Sequence, residues 1–269
     1  MKLPVEAPEV IEYCCNICGT KNRLESKQFH RELALCGKCG SNARFRGIVH
    51  VLANVVGAGD LPLRDWTRRA NIAGLGMSDW AGYAGLLEKK FSYKNTFYDR
   101  SPRLDIQNPT AAQLGMHDFV ISTDVFEHIL PPLQQGFDNL LALLKPGGSL
   151  IFSVPYTRTE HTIEHFPGLH EWEILEFRGE KILVNRDEAG GLQAYDNLVF
   201  HGGEGATLEM RVYCEADILS RLAQAGFEEV RVHDQPQLSL GYYWPGLRQV
   251  DPDAPLLYAY IISARRPAS

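Results

Sequence analysis

Four cysteines fall in two pairs, Cys15 with Cys18 and Cys36 with Cys39, and a glycine follows each pair. A two-residue spacing lets both thiolates of a pair reach one tetrahedral zinc ion, and the glycine permits the tight turn that aims backbone amides at sulfur. Seventeen residues separate Cys18 from Cys36, within the range of four-cysteine zinc sites. The spacing predicts a structural Zn2+ held by Cys15, Cys18, Cys36 and Cys39. Four thiolates close the coordination sphere, so this ion folds the module and does no chemistry. Buried free thiols or a redox dithiol are the alternatives, and two pairs at this distance suit a metal better than exchange. Cys14 is a spare neighbour, and Cys214 reads as a small buried side chain.

A second group begins at residues 71–79, NIAGLGMSD, read as a strand, a glycine turn at Gly74 and Gly76, and a helix start. A dinucleotide site would place a third glycine at position 79, where helix and strand pack closely and a pyrophosphate meets the helix N-terminus. Asp79 stands there instead. Its carboxylate would repel a diphosphate but would tolerate a phosphate-free ligand carrying a sulfonium and an ammonium, and S-adenosylmethionine is such a ligand. Asp99, twenty-three residues after Gly76, suits a carboxylate that accepts from both ribose hydroxyls. Asp105 is placed to accept from an adenine amino group, with Ile106 against the ring.

The third group is rich in histidine. Methyl transfer is an in-line displacement, so most of its catalysis is positioning a nucleophile behind the methyl group. A base is needed only where the nucleophile must lose a proton, as a hydroxyl must. Candidates beyond the strand ends are Asp124, Glu127, His128, Tyr156, His161, His165, His170 and His201. For each histidine a hydrogen-bonded structural role is the plainer reading, and Glu127 is read as capping the following helix and bracing the cofactor loop. The expected general base is a histidine of the stretch after the fifth strand: His165, His201 or His161. Residues 161–165, HTIEH, also fit one zinc-peptidase pattern, but no long helical periodicity surrounds them. The glycine-rich run 200–205 is expected either to bend over the substrate or to join two strands.

These groups need elements to carry them. Residues 45–56 have Ile48, Val49, Leu52, Val55 and Val56 at helical spacing, and glycines 57 and 59 break the pattern. From position 69 strands and helices alternate, the sign of a parallel sheet with crossover helices. Strands are expected at 69–73, 96–98, 118–123, 149–154, 227–232 and 258–264. Helices are expected at 79–91 with Ser78 as N-cap, along the stripe Leu133, Phe137, Leu140, Leu141 and Leu144, and at 215–225 closed by Gly226. Residues 1–43 are expected as the zinc module, 44–62 as a linker helix, and 63–269 as the main domain. A substrate-side insert is expected at about 156–211, since so long a break in the rhythm of a compact domain is usually functional.

The chain resembles the class I S-adenosylmethionine-dependent methyltransferases over residues about 69–155. Residues 118–129, DFVISTDVFEHI, are similar to that family's fourth-strand motif, and 143–155, LLKPGGSLIFSVP, to its turn into the fifth strand. The resemblance implies an α/β fold with a doubly wound, mostly parallel seven-stranded sheet. It also implies S-adenosyl-L-methionine contacts at Gly74, Gly76, Asp99 and Asp105, and at the backbone of Ser122, Thr123 and Asp124. The glycine turn departs from the commoner three-glycine pattern. Residues 39–46, CGSNARFR, resemble bacterial methyltransferases with a leading zinc ribbon.

Of the 269 residues 45% are hydrophobic and 22% charged, which suits one large domain plus an appendage. No apolar run is long enough to span a membrane, and the first ten residues carry acids and two prolines where a signal peptide needs an apolar stretch. A cytoplasmic protein is expected. The net charge of −6 argues against tight nucleic-acid binding, although Arg44, Arg46, Arg64, Arg68 and Arg69 lie in one stretch. The expected partner is a small-molecule methyl acceptor, such as a sugar or natural-product intermediate, methylated on oxygen. The rivals are an RNA methyltransferase whose ribbon grips RNA, a non-catalytic scaffold, and an NAD-dependent oxidoreductase.

Overall fold

The computed structural model describes residues 7–201, 207–244 and 255–269. The N-terminal hairpin pairs β1 (Val10–Cys14) with β2 (Lys21–Glu25) in antiparallel register. Helix α1 (Ala43–Val56) follows, capped by the Asn42 side chain, which accepts from the Phe45 amide, and ended by Gly57 in the left-handed region. The main domain runs β3 (Arg69–Met77), α2 (Ala81–Lys90), β4 (Phe91–Thr96), β5 (His117–Thr123), α3 (Leu133–Leu143) and β6 (Leu144–Ser153).

The insert is built of short strands: β7 (Tyr156–Thr157), β8 (Ile163–Glu164), β9 (Glu171–Phe177), β10 (Glu180–Arg186), β11 (Leu192–Tyr195), β12 (Phe200–His201), β13 (Thr207–Leu208) and β14 (Arg211–Cys214). Strands β9, β10 and β11 form a three-stranded antiparallel sheet. Helix α4 (Glu215–Ala225), β15 (Glu228–His233) and β16 (Ile261–Arg265) complete the chain.

The central sheet has the order β15-β16-β6-β5-β3-β4. Strands β3 to β6 are parallel, and β16 is antiparallel to both neighbours. Among the described residues the sheet has six strands where the family resemblance led us to expect seven. Between β4 and β5 the chain forms an irregular loop with one 3-10 turn at Ala111–Gln113. Pro102 and Pro109 lie in that stretch, and a proline cannot donate to a ladder.

Two cores cover the two faces. On one, the hairpin, α1 and α2 pack against Phe119, Ile121, Ile151 and Ile261. On the other, α3 and α4 pack against Leu75, Val120, Leu150, Phe152 and Ile262. Burying side chains such as Leu87 or Leu140, both fully enclosed, stabilises the fold by roughly 1.5–3 kcal/mol each. Helix α1 is therefore a layer of the main domain rather than a free linker. Its apolar face has one place to be buried, and the sheet supplies it.

The cysteine module is tied to that core by Arg46, which is fully enclosed. Its guanidinium donates to the carbonyls of Ser41 (2.6 Å), Ala34 (3.0 Å) and Gly241 (2.8 Å) and lies over the Tyr13 ring.

Candidate functional site: a ligand cleft at the strand ends

A cleft of about 1270 Å³ opens at the carboxyl ends of β3, β4 and β5. The chain leaves β3 for β4 on one side and returns to β5 on the other, so β3 is the switch point at which open α/β sheets hold ligands. The turn after β3, the loop after β4, and residues 123–125 and 128–130 at the end of β5 and beyond it line the cleft.

Gly74 and Gly76 are not in a turn. Both lie within β3, which runs on to Met77, and neither lines the cleft. A side chain on Gly74 would collide with the Phe119 ring, and one on Gly76 with Tyr93 and Asp79. Their role is to let the aromatic layer under α1 and α2 close onto the strand. The turn itself is made by Ser78, at φ 57. Ser78 does not cap α2: the capping position is Trp80, with no side-chain bond.

Asp79 sits beneath the turn, 6% exposed, and accepts a hydrogen bond from the Tyr93 hydroxyl. Its other carboxylate oxygen is buried without a partner among the described residues. Burial pushes its carboxyl up to about 7, against the lowering influence of Tyr93 and the Arg44 charge. Asp79 is thus a half-neutralised group under the cleft floor, not the freely ionised carboxylate that its position in the sequence suggested. Between the unfolded value near 4 and about 7, the native state holds more protons than the unfolded chain. Stability from this group is complete below pH 4 and lost as pH rises through 7. Asp79→Asn is expected to melt with the parent protein at pH 5 and several degrees above it at pH 8.5. Equal melting temperatures at both pH values would show that Asp79 does not titrate in this way.

Asp99 is exposed and lines the cleft just beyond β4, with Arg100 3.7 Å away. Asp105 also lines it. Its oxygens accept from the Gln107 amide (3.0 Å) and the Asn108 side chain (3.2 Å), which fixes the carboxylate beside the buried Ile106. Thr123 and Asp124 line the cleft, whereas Ser122 is fully enclosed and does not.

Asp124 has φ 54 and is gripped by Arg31 (2.5 Å) and Arg44 (3.3 Å). Burial alone would raise its carboxyl, but the two guanidiniums overcome that and hold it below its usual range. Arg31, Glu32, Arg44 and Phe45 therefore bring the cysteine module and α1 into the cleft wall. No local spacing announces the Arg31–Asp124 contact, which spans 93 positions.

The three expected base histidines separate. His161 is exposed and does not line the cleft. His165 lies behind the lining, with Nε2 2.8 Å from Glu209. His201 lines the cleft and has its Nε2 3.2 Å from the other oxygen of Glu209. Across from it is His128, whose ring stands edge-on to His201 at 5.6 Å. His128 Nδ1 lies 2.8 Å from the Leu208 carbonyl. A carbonyl only accepts, so Nδ1 carries the proton and Nε2 keeps its lone pair. Burial, with the nearby His201, holds His128 below its ordinary value and favours that neutral form.

Glu127 is fully enclosed, not a helix cap, and both its carboxylate oxygens lack partners among the described residues. The turn Phe126–His128 is clamped from the insert: the Met210 amide donates to Glu127 O (2.8 Å) and Arg211 donates to Ile129 O (2.5 Å). Neither the His165–Glu209 contact, 44 positions apart, nor the His128–Leu208 bond, 80 positions apart, was legible in the sequence, since both depend on how the insert folds back. The HTIEH run is not helical, and its Glu164 pairs with Arg211 at 2.8 Å. His170 donates its amide to Asn185 and does not line the cleft, and nor does the buried Tyr156. The run's residues 202–205 lie outside the described residues, as does the N-terminal segment 1–6.

The four cysteines converge. Cys15 Sγ is 3.7 Å from Cys39 Sγ, Cys18 Sγ is 3.6 Å from Cys36 Sγ, and all four sulfurs lie within 4.8 Å of one another. Thiolates about 2.3 Å from a tetrahedral zinc would stand about 3.8 Å apart, so the donor set fits the ion. Gly19 (φ 73) and Gly40 (φ 72) donate their amides back to Cys15 O and Cys36 O, which only a left-handed turn allows without strain. Cys14 is exposed, and the buried Cys214 accepts from the Asp217 amide at the start of α4.

The basic stretch is split: Arg46 is buried and Arg44 is turned into the cleft, Arg69 donates to the Val56 carbonyl, and Arg64, paired with Asp65, and Arg68 are exposed. No described helix is long and apolar enough to cross a membrane.

No protein-family profile and no curated protein matches the sequence. Solved structures do match. One is Burkholderia thailandensis 1,6-didemethyltoxoflavin-N1-methyltransferase with its substrate and S-adenosylhomocysteine, at 14% identity and TM-score 0.42, covering 84% of this chain and 78% of that one. Another is a sugar N-methyltransferase from Streptoalloteichus, at 12% and 0.43, covering 84% and 86%. A third is an amino pentose methyltransferase from Micromonospora echinaspora with bound S-adenosylmethionine, at 13% and 0.41, covering 83% and 95%. By its strand order, its reversed last strand and the crevice beside β3, the chain has a mostly parallel α/β fold like that of the class I S-adenosylmethionine-dependent methyltransferases, with a four-cysteine cluster near its N-terminus.

Proposed function

We propose that this protein transfers a methyl group from S-adenosylmethionine to an oxygen of a small-molecule acceptor. The observation that carries the reading is the cleft, lined in order by the turn at Asp79, by Asp99, by Asp105 with Ile106, and by Thr123 and Asp124. In this reading Asp99 accepts from the ribose hydroxyls and Asp105 and Ile106 hold the adenine. The methionine end lies toward Asp79 and Asp124, where Arg44 and Arg31 complement its carboxylate. Zinc at the four cysteines is structural. The described part of the zinc module 1–43 also walls the cleft through Arg31 and Glu32, and the described part of 156–211 is the acceptor-side insert.

The far wall is Trp172, Ile174, Leu208 and Met210 from the insert. These side chains suit an acceptor with a flat or apolar face, such as an aromatic ring or the face of a sugar. Its hydroxyl would meet His128 and His201, whose free ring nitrogens accept a proton or an electron-poor partner. Arg44 and Arg46 turn inward, which leaves fewer of the five arginines to meet an RNA.

Asp99→Ala tests the cofactor site. Loss of charged hydrogen bonds worth about 1.5–3 kcal/mol should weaken S-adenosylhomocysteine binding roughly 10-fold to 100-fold by calorimetry, with unchanged melting temperature because Asp99 is exposed. Unaltered affinity would remove Asp99 from the ribose, and absence of any binding by the parent protein would remove the enzyme reading.

A further inference from the structure

One ring nitrogen of His128, one of His201 and a carboxylate oxygen of Glu127 lie within 4.8 Å of one another. Two histidines and a glutamate converge often enough by chance, and three further observations set this group apart. Glu127 is fully enclosed, with neither oxygen bonded among the described residues. A buried carboxyl normally finds partners, because leaving it unpaired costs the full desolvation of the group. Each histidine, moreover, has one nitrogen beside an acceptor: His128 Nδ1 is hydrogen-bonded with the Leu208 carbonyl at 2.8 Å, and His201 Nε2 stands 3.2 Å from a Glu209 carboxylate oxygen. Histidines that bind metals are held in this way, with the outer N–H donated to a carbonyl or carboxylate so that the inner nitrogen is presented as a lone pair. Finally, His128 and His201 line the cleft, so an ion between them would meet whatever occupies it.

We propose that Glu127, His128 and His201 form a three-ligand site for a first-row divalent transition-metal ion, separate from the four-cysteine cluster. Two imidazoles and one carboxylate suit zinc, iron, cobalt or manganese, whereas magnesium and calcium prefer oxygen ligands throughout. Three protein ligands leave coordination positions free, the arrangement of metals that engage substrates rather than hold folds. The nearby Arg31 charge does not exclude a cation, since Asp124 and Glu32 neutralise it at 2.5 and 3.1 Å. The ion lies on the acceptor side of the cleft, so the inference deepens the methyltransferase reading: the metal would hold the acceptor's oxygen donor. Glu209 is a positioning residue that aims His201.

Cobalt(II) titration of the full chain, with zinc already bound at the cysteines, tests the site. One equivalent should bind, with visible bands of nitrogen and oxygen ligation and without the intense charge-transfer band of thiolate ligation. Glu127→Gln, His128→Ala and His201→Ala should each weaken cobalt binding at least 10-fold, and Glu209→Gln by about 10-fold to 100-fold. His161→Ala, away from the cleft, should leave it unchanged. Binding of S-adenosylhomocysteine and the melting temperature serve as controls for folding. Should the parent protein bind no cobalt beyond the cysteines, or should Glu127→Gln and His201→Ala bind it undiminished, the proposal is overturned. Cofactor binding without cobalt binding would overturn the ion site alone. Cobalt binding without cofactor binding would overturn the methyltransferase reading alone.

Discussion

Replacing Cys36 with Ser should lower the melting temperature by more than about 10 °C and abolish S-adenosylhomocysteine binding along with it. Structural zinc contributes on the order of 10–16 kcal/mol in small zinc modules, while a whole domain is stable by only about 5–15 kcal/mol. At this chain length each kcal/mol moves the midpoint by about 2–4 °C. Loss of the ion would not stay local. Cys15, Cys18 and Cys36 belong to the same buried cluster as Leu52, Leu87 and Phe119, and Arg46 joins the cysteine module to the Gly241 carbonyl of the C-terminal segment. Arg31, between the two knuckles, and Arg44, just after the second, hold Asp124 in the cleft wall. Chelation should reproduce the effect. Cys14→Ser is the control, because Cys14 is exposed and outside the four-sulfur cluster. An unshifted melt for Cys36→Ser would show that the cysteines hold no structural ion.

His201→Ala and His128→Ala should each reduce turnover about 10²-fold or more, measured as S-adenosylhomocysteine release with a hydroxylated aromatic or glycoside acceptor. Cofactor affinity should stay within about twofold, since in the proposed reading the ribose and adenine are held by Asp99, Asp105 and Ile106 and neither histidine takes part. The double variant should lose little more than either single one, because residues acting as a unit are non-additive. His165→Ala should have a smaller effect. It shares Glu209 with His201 but stands behind the cleft wall. His161→Ala should have none. Full turnover in His128→Ala and His201→Ala would show that the acceptor is activated elsewhere, whereas a large loss in His161→Ala would place the chemistry outside this cleft.

Local spacing made part of the site readable. The cysteine knuckles depend on turns of four residues, so their glycines and their convergence follow from the order of amino acids alone. Asp99 and Asp105 do line the cleft, although the strand before them, expected at 96–98, is Phe91–Thr96, while α4 has its limits 215–225 and closing Gly226 where expected. The glycines of β3 were misplaced for a physical reason. A glycine can serve a turn or a close approach, and which one applies depends on the ring opposite, here Phe119. The expected strand therefore stopped at position 73, whereas the real one runs to Met77.

The order of residues by itself determined the alternating strands and helices, the metal-type cysteine pairs, and a crevice flanked by carboxylates, because each rests on contacts a few positions apart. The tertiary structure decided the rest. It turned Arg44 and Arg46 inward, raised Asp79 toward neutrality by enclosing it, rejected His161, and set His201 opposite His128 with Glu209 behind it. Those outcomes depend on burial and on partners as far apart as Arg46 and Gly241, 195 positions along the chain, where no periodicity survives and only the closing of the core fixes which side chains meet.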